Sequence, residues 1–171
     1  MKFRGIVLAA AVALCCLLAP GRAQAQSIVL EIPGVAGEVT TPAAFANQIG
    51  VLALSWGGSK NCTSPLNVQD LSFTKNTDKA SMPLLAALQA HTVYPTITFR
   101  FVRSDGQVYQ SYQLTNAALS SVSMGGSAAE ARTTENVTMT FSQVLATYTF
   151  IDAGGKVGGS SSTTIVSSAC P

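Results

Sequence analysis

Histidine is the side chain that most often transfers protons in enzymes near neutral pH, and this chain contains only one, His91. His91 lies just after a predicted short helix and shortly before Tyr94 and Pro95. A protonated imidazole at a helix C-terminus is favoured by the helix dipole. The position therefore favours a surface or helix-capping role for His91 over general-base catalysis.

Other catalytic and ligand-binding patterns are also missing from the sequence. Cys62 and Cys170 lie far apart from each other and from His91, whereas zinc ligands normally occur at short spacings. The glycines at 154–155 lack the first glycine and the Ser or Thr of a phosphate-binding loop. No Gly-x-Ser-x-Gly nucleophile motif occurs. We therefore expect a protein without catalytic residues, metal or cofactor; a hydrolase would need a polar pocket with a base other than His91.

Charge also limits the partners that this protein can have. The chain of 171 residues contains ten Lys and Arg and eight Asp and Glu, a formal charge of +2. Three basic residues, Lys2, Arg4 and Arg22, belong to a predicted leader, which leaves seven basic residues against eight acidic ones. These charges are scattered and form no basic stripe, so we do not expect nucleic-acid binding.

The first 25 residues have the pattern of a secretory signal peptide. Two basic residues precede an apolar run over residues 6–18, and Ala23-Gln24-Ala25 provides a small-x-small cleavage site before Gln26. We predict cleavage between Ala25 and Gln26, and a periplasmic or extracellular protein that is not attached to a membrane afterwards. A helix that spans a bilayer needs about 20 consecutive apolar residues, and no segment of this chain is that long. A retained membrane anchor is the alternative.

Cys62 and Cys170 are the cysteines that remain after this cleavage. In an oxidising compartment, two thiols either join or face another chain. Cys170 follows a Gly/Ser-rich run over residues 154–162, which gives it reach toward the loop that holds Cys62. We predict an intramolecular bridge, which would add on the order of 4 kcal/mol of stability if unstrained. Free or intermolecular thiols are the alternative.

The elements that carry these residues are mostly strands, and the most informative stretch runs from Val122 to Tyr148. A polar loop over residues 125–134 separates two segments in which apolar and polar residues alternate. Apolar residues in the second segment are odd-numbered up to Phe141 and even-numbered from Val144. One extra residue near Ser142-Gln143 explains the shift, and a β-bulge there would bend the strand. A locally hydrated patch is the alternative.

Similar alternation predicts further strands over about residues 28–32, 49–56, 66–74, 93–103, 108–114 and 119–124. A tight turn at Ser104-Asp105-Gly106 joins two of them into a hairpin. In the segment 49–56, the core-facing residues are predicted to be Leu52, Leu54 and Trp56. The smaller and wetter side consists of Val51, Ala53 and Ser55. A second bulge is predicted between Val68 and Leu71.

One short helix interrupts the strands. Ser81 is its predicted N-cap, because Pro83 then lies in the first turn, where its missing N–H costs little. Leu84, Leu85 and Leu88 form an apolar stripe that should pack on one flank or end of the sheet. At least seven strands with one helix predict a closed or nearly closed β-barrel or sandwich.

The predicted domain organisation is simple. Residues 1–25 form the signal peptide, residues 26–152 form one β domain, and residues 153–171 form a flexible tail rich in Gly, Ser and Thr. The domain has few charges, many Ser, Thr and Gln residues, and strand edges that must pair or be covered. These properties suit a protein that assembles with copies of itself.

Several motifs occur in series. They are Leu66–Lys75 followed by Asp78, Lys79 and Ser81, then Ser120–Ser127, then Thr134–Thr138 with Phe141, Val144 and Tyr148. Ile32–Glu38 and Leu54–Gly57 fit the same series. Together they closely resemble the Hcp family, the tube proteins of the bacterial type VI secretion system, over about residues 27–150.

The resemblance implies a mainly β fold, a β-barrel of two curled antiparallel sheets flanked by one short α-helix. Six copies would close into a ring through edge-to-edge contacts, and stacked rings would form a hollow tube that carries effector proteins. By position, Ser55 would face the lumen, although it could also be a strand residue that faces water. The loop from Gly34 to Asn47 would reach the next ring, with these ring-stacking residues: Val35, Gly37, Glu38 and Thr40.

The leader departs from the family pattern, because tube proteins are usually assembled in the cytoplasm. A chain exported before assembly could not enter a tube built on a cytoplasmic baseplate. We therefore expect either a variant tube component or a free periplasmic or extracellular oligomer. Its expected partners are its own copies in a homo-hexameric ring and effector or spike proteins of a secretion system. The competing function is a secreted, monomeric β-sandwich module that binds a carbohydrate or a protein.

Overall fold

The computed structural model describes residues 26–61, 66–128 and 131–166. The predicted signal peptide up to Ala25 and both cysteines of the predicted bridge, Cys62 and Cys170, lie outside the described residues.

Strands dominate the described chain. They are β1 (Ser27–Glu31), β2 (Ile49–Val51), β3 (Ala53–Ser55), β4 (Gly58–Ser59), β5 (Asn67–Val68), β6 (Leu71–Asn76), β7 (Val93–Val102), β8 (Val108–Gly125), β9 (Thr134–Thr140), β10 (Gln143–Ile151) and β11 (Val157–Val166). One α-helix, α1, spans Ser81–Gln89, and a short 3-10 helix spans Ala43–Phe45. The predicted mainly β fold with one short helix is confirmed.

Nine of these strands form one antiparallel sheet. Its main order is β2-β1-β7-β8-β9-β6-β3, and β8 also pairs with β10, which pairs with β11. Strands β4 and β5 form a separate two-stranded ribbon. The sheet therefore has two branches that share β8, where the sequence predicted two curled sheets.

The branch point depends on irregularities in two paired segments of the chain. Strand β8 pairs with β10 up to Thr115 and with β9 from Ala118, and Asn116 between them has a positive φ of 49°. In the segment opposite Thr115, Ser142 lies between β9 and β10. Its backbone N–H and its hydroxyl both donate to the Thr115 carbonyl, at 3.0 and 2.9 Å. The irregularity predicted near Ser142 is confirmed in position, but it separates two strands that have different neighbours.

The segment 49–56 differs from the prediction. Leu52, expected in the core, is 55% exposed, whereas Val51 is 7% exposed. The alternation of buried and exposed residues is interrupted at Leu52, because the segment forms two strands with different partners. Strand β2 pairs with β1, and β3 pairs with β6. Leu52 connects these strands and donates its N–H to the Thr74 carbonyl at 2.8 Å. This connection joins the two ends of the strand order and curls the sheet around its core.

The second predicted irregularity lies where expected. Strand β5 ends at Val68 and β6 begins at Leu71, and both of these side chains are buried. Two residues outside regular pairing reset the alternation, so a short break between strands replaces the predicted bulge.

The N-cap of the helix lies one residue before the predicted position, Ser81. Ser81 is the first helical residue and Ala80 occupies the N-cap position without a capping side chain. The Ser81 hydroxyl instead accepts the N–H of Asp78 at 3.0 Å and the ammonium of Lys75 at 3.1 Å. Pro83 lies in the first turn as predicted. The buried face continues through Leu84 and Ala87, with Leu88 packed at its border.

The predicted flexible tail was wrong for residues 157–166. These residues form β11, which pairs with β10 from Gln143 opposite Val166 to Ile151 opposite Val157. Nine of its ten residues are exposed and Ile165 is half-buried, so the strand has no alternation of buried and exposed residues. Main-chain hydrogen bonds to β10 hold the strand, and such bonds cannot be predicted from the pattern of side chains.

Apolar side chains from both branches and from α1 fill the core. Phe73 and Phe99 meet edge to face with ring centroids 5.4 Å apart, and both are at most 2% exposed. Such pairs contribute about 0.5–1.5 kcal/mol beyond the burial of their area. This aromatic contact links β6 to β7 across the core.

One charged cluster is buried beside this core. The ammonium of Lys75, which is 0% exposed, lies 2.7 Å from the Asp78 carboxylate and 2.9 Å from the Glu135 carboxylate. It also donates to the Asn76 carbonyl at 2.8 Å and to the Ser81 hydroxyl. Because these groups come from β6, β9 and the start of α1, the cluster ties the helix to the sheet.

We expect the variant Lys75→Met to lose about 3–5 kcal/mol of unfolding free energy, because it leaves two buried carboxylates without their cation. Urea denaturation measures this loss. The control Lys79→Met removes an exposed lysine four residues away and should change the free energy by less than about 0.5 kcal/mol. Equal stability of the two variants would show that the buried cluster does not stabilise the fold.

Candidate assembly surfaces

The described residues offer little for catalysis. They include no group of three or more His, Cys, Asp and Glu side chains that could hold a metal ion. His91 is exposed and has a positive φ of 49°, and its N–H donates to the Leu88 carbonyl at 3.1 Å. The backbone N–H of Thr92 donates to the Ala87 carbonyl at 2.9 Å. The backbone of His91 thus ends the helix, which is the helix-capping location that the sequence favoured.

No helix among the described residues combines the length and the apolar character needed to cross a bilayer.

Four neighbouring strands carry an uncharged polar face: β3, β6, β9 and the second half of β8. Their pairing registers place one row of hydroxyl side chains across all four strands, formed by Ser55, Ser72, Thr138 and Ser121. The next row consists of Ala53, Thr74, Asn136 and Ser123. We call these eight residues the polar wall. It contains Ser55, the predicted lumen-facing residue, and Ser55 is exposed.

Hydrogen bonds join the strands of the polar wall through their side chains. The hydroxyl groups of Ser72 and Thr138 are 3.1 Å apart, and Thr74 donates to the Asn136 side-chain oxygen at 2.7 Å. The residues between them, such as Phe73, point into the core. The strand alternation therefore separates an apolar inner face from a neutral, hydrogen-bonding outer face.

The polar wall ends at a free strand edge on each side. At one side, β3 pairs with β6, and its other edge has no partner strand among the described residues. At the other side, the β7 pairing of β8 stops at Ala118, so the edge over residues 119–125 has no partner strand in the described chain. Strands β2 and β11 also end their branches. Free edges of this kind can pair with another chain.

The predicted ring-stacking loop lies between β1 and β2. Val35 is half-buried and closes a turn by donating its N–H to the Ile32 carbonyl at 3.1 Å. Gly37 is buried, and its N–H donates to the Asn47 carbonyl at 2.7 Å. Thr40 is exposed. The four predicted residues therefore belong to one compact loop, in which Gly37 is packed and Thr40 faces solvent.

Glu38 fixes this loop to the body of the domain. One of its carboxylate oxygens accepts the Lys79 N–H at 3.2 Å, and the other lies 3.5 Å from the guanidinium of Arg132. These partners belong to the turn before α1 and to the loop before β9. Glu38 is therefore a positioning residue for the loop, and its exposed ion pair adds little stability.

The loop starts at the end of the sheet where β1 ends, and two turns lie at the other end. Since β1 and β8 are both antiparallel to β7, the end of β1 and the end of β8 share one rim. At the opposite rim, Gln107 donates to the Gly155 carbonyl at 2.8 Å and Arg103 to the Asp152 carbonyl at 3.5 Å. These contacts join the β7–β8 turn to the β10–β11 turn. The loop that follows β1 extends to this rim as well, because Pro42 lies 3.8 Å from the position that a Cβ on Gly106 would take.

An aromatic groove of about 450 Å³ is lined by residues of β8, β10 and β11 and by Trp56. Trp56 and Tyr112 meet edge to face in it at 5.4 Å, and Tyr148, which is 53% exposed, lies on one side. The sequence predicted Trp56 in the core, but it is half-buried and packs against that core. Hydroxyl groups of β11 also line the groove, and Ser161 lies beside Tyr148 in the pairing of β10 with β11.

The sequence assigned one residue of the polar wall, Ser55, to the lumen, and it placed Ala53 on the same face of that strand. Ser72, Thr74, Asn136 and Thr138 all lie within the motifs that carry the resemblance, and each alternates with a core residue. That alternation was a signal for an exposed strand face. The neighbourhood of β3, β6, β9 and β8 was not predictable, because it depends on pairings between residues distant in sequence.

Comparisons with known proteins agree with this geometry. Residues 29–148 match the family model described as type VI secretion system effector, Hcp. Protein hcp1 of Pseudomonas aeruginosa is 45% identical to the chain over 98 residues, which are 55% of this chain and 60% of that protein. The chain thus spans less than two thirds of the length of this curated relative.

Solved structures share the architecture. A structure described as a type six secretion system protein superimposes with a TM-score of 0.77 at 24% identity, covering 83% of this chain and 96% of that chain. Hcp1 from Salmonella typhimurium superimposes with a TM-score of 0.71 at 25% identity, covering 83% of this chain and 95% of that chain.

We expect Gly37→Ala to destabilise the protein by about 1–3 kcal/mol, because the new Cβ would overlap the backbone of Gln48 and Ile49. The control Gly125→Ala places a Cβ where no atom lies within 4 Å, so its effect should stay below about 0.5 kcal/mol. Thermal unfolding of both variants measures the difference. A Gly37→Ala protein as stable as the control would contradict the close packing of this loop.

Proposed function

This chain belongs to the Hcp family of the type VI secretion system, and from that premise we propose that it is a structural protein whose copies assemble side by side into a ring. The observation that carries the proposal is the polar wall with a free strand edge on each side. The edge of β3 on one copy would pair with residues 119–125 of β8 on the next copy. A contact between two different edges repeats around an axis and closes a ring if the rotation between copies permits.

In this arrangement the ring is a homo-hexamer with the polar wall facing the lumen. Ser55 would then be one of a row of lumen hydroxyl groups with Ser72, Thr138 and Ser121. Neutral hydroxyl and amide groups can exchange hydrogen bonds with a passing protein without binding one charge pattern tightly. This chemistry supports a conduit for effector proteins, with spike proteins as further partners.

Ring stacking follows from the two rims. The loop that contains Val35, Gly37, Glu38 and Thr40 would meet the paired turns at the opposite rim of the next ring. Internal hydrogen bonds and the Glu38 contacts order this loop, and an ordered loop loses less entropy when it enters an interface.

The protein would act without enzymatic chemistry, cofactor or metal. Family membership favours the ring over the monomeric β-sandwich module that was the competing prediction. The family description as a secretion system effector also supports a secreted protein.

Export would proceed through residues 1–25, with cleavage between Ala25 and Gln26. The position of β1 fits this proposal, because the strand begins at Ser27, directly after the residue that cleavage would leave at the N-terminus. The exported chain would form rings in the periplasm or outside the cell.

The ring proposal is tested by chemical cross-linking across its predicted edge. We expect the double variant Ser55→Cys/Ser121→Cys, with Cys62 and Cys170 replaced by Ser, to give a ladder of covalent oligomers with a short thiol cross-linker. The two new thiols would lie on the facing edges of neighbouring copies. Denaturing gel electrophoresis measures the ladder.

The matched control is Ser72→Cys/Thr138→Cys in the same background. These positions are neighbours within one subunit, since their hydroxyl groups are 3.1 Å apart, and they should give cross-linked monomers only. Cross-linked monomers in the control together with no ladder in the Ser55→Cys/Ser121→Cys variant would contradict pairing between β3 and β8.

The cysteine bridge is a separate proposal. Trp56 and Ile165 line the same groove, six residues before Cys62 and five residues before Cys170 respectively. A few residues of extended chain, at about 3.3–3.6 Å each, give both cysteines reach across this groove. We therefore propose that Cys62 and Cys170 are joined within one chain after export.

Thiol titration of the denatured, non-reduced protein should then find no free thiol, and a non-reducing gel should show a monomeric band. The variant Cys170→Ser should expose one thiol per chain. Two free thiols per chain in the exported protein, or a dimer that only reductant dissolves, would rule out the intramolecular bridge.

A further inference from the structure

We infer that Gln26 is a modification site: once it is the first residue, it cyclises to pyroglutamate, and Tyr109 assists the reaction. The inference rests on the proposed cleavage after Ala25. It concerns a covalent change at the N-terminus and does not depend on ring formation.

The side chain of Gln26 is held by a residue distant in sequence. The Tyr109 hydroxyl donates a hydrogen bond to the Gln26 side-chain carbonyl oxygen, Oε1, at 3.0 Å. Tyr109 belongs to β8, and its ring meets Phe101 of β7 edge to face at 6.0 Å. The donor is therefore fixed by the sheet, at the point where β1 begins.

The protonation state of Tyr109 suits this role. Burial, and to a smaller extent the neighbouring Tyr112, raise the pKa of the Tyr109 phenol above its ordinary value of 10.0. The phenol therefore remains protonated at physiological pH and keeps its proton for the bond to Gln26.

The chemistry needs no cofactor or oxidant. The free α-amine of Gln26 attacks its own side-chain Cδ, so that a new N–Cδ bond forms and the carbonyl oxygen gains negative charge. The Cδ–Nε2 bond then breaks, a proton from the amine moves to the departing nitrogen, and ammonia leaves. A hydrogen-bond donor aimed at the oxygen stabilises this intermediate, as in an oxyanion hole. The product is a five-membered lactam.

Two consequences follow from the product. The N-terminal positive charge is lost, and the lactam carbonyl still offers an oxygen acceptor to Tyr109. The N-terminus also lacks the free amine that aminopeptidases require. This protects an exposed residue directly ahead of β1, which lies between β2 and β7 in the sheet.

The experiment is mass spectrometry of the full-length gene product, expressed with its leader and purified after export. We expect the mature chain to begin at residue 26 and to be lighter than the free glutamine form by the mass of one ammonia molecule. A time course after purification, followed on the N-terminal peptide, gives the rate of cyclisation. The variant Tyr109→Phe keeps the aromatic ring and should cyclise roughly fivefold more slowly, the effect of one lost hydrogen bond.

Tyr148→Phe is the matched control, because it removes an exposed tyrosine hydroxyl elsewhere and should leave the rate unchanged. A mature chain that keeps a free Gln26 amine would overturn the inference and leave the proposed cleavage intact. A chain that retains residues 1–25 would overturn both. Equal rates for the wild type and Tyr109→Phe would remove Tyr109 from the reaction.

Discussion

The ammonium of Lys75, fully buried between two carboxylates, is the interaction on which the rest of the structure depends. A buried charge costs several kcal/mol unless partners replace its water, and here four protein groups do so. They belong to β6, to β9, to the turn before α1 and to the first residue of α1. Glu135 Oε1 has no hydrogen-bond partner in the described part of the chain, so the cluster has more acceptor capacity than Lys75 uses. The geometry can therefore be satisfied only when all three elements are in place.

This cluster also fixes the register of the polar wall. Lys75 lies opposite Glu135 in the pairing of β6 with β9, and both side chains point to the inner face. A slip of one residue would turn the inner residues outward and break the ion pair. The cluster thus holds Phe73 inside and the hydroxyl groups of Ser72 and Thr138 outside. The neutral surface proposed for the lumen is set by a charge contact on the opposite side of the same strands.

Much of the fold was predictable from local patterns. The shift in alternation between Phe141 and Val144 located the separation of β9 from β10, and Ser104-Asp105-Gly106 located a turn. Other features were not, because they depend on partners far along the chain. Leu52 is exposed because the chain changes its pairing partner there, from β1 to β6. Strand β11 has no apolar face and is held by main-chain hydrogen bonds to β10. Lys75 and Glu135 are 60 residues apart, and nothing near either residue predicts their contact.

The candidate site shows the same division between local and distant information. Ser55 came from the family resemblance, and the strand alternation agreed with its exposure. Its three neighbours in the row follow only from the order of β3, β6, β9 and β8. The measurement that tests the central claim most directly is the solution mass of the exported chain, by light scattering at high micromolar concentration. A hexameric mass is the predicted result, and a monomer under these conditions would contradict assembly through the free edges of the polar wall.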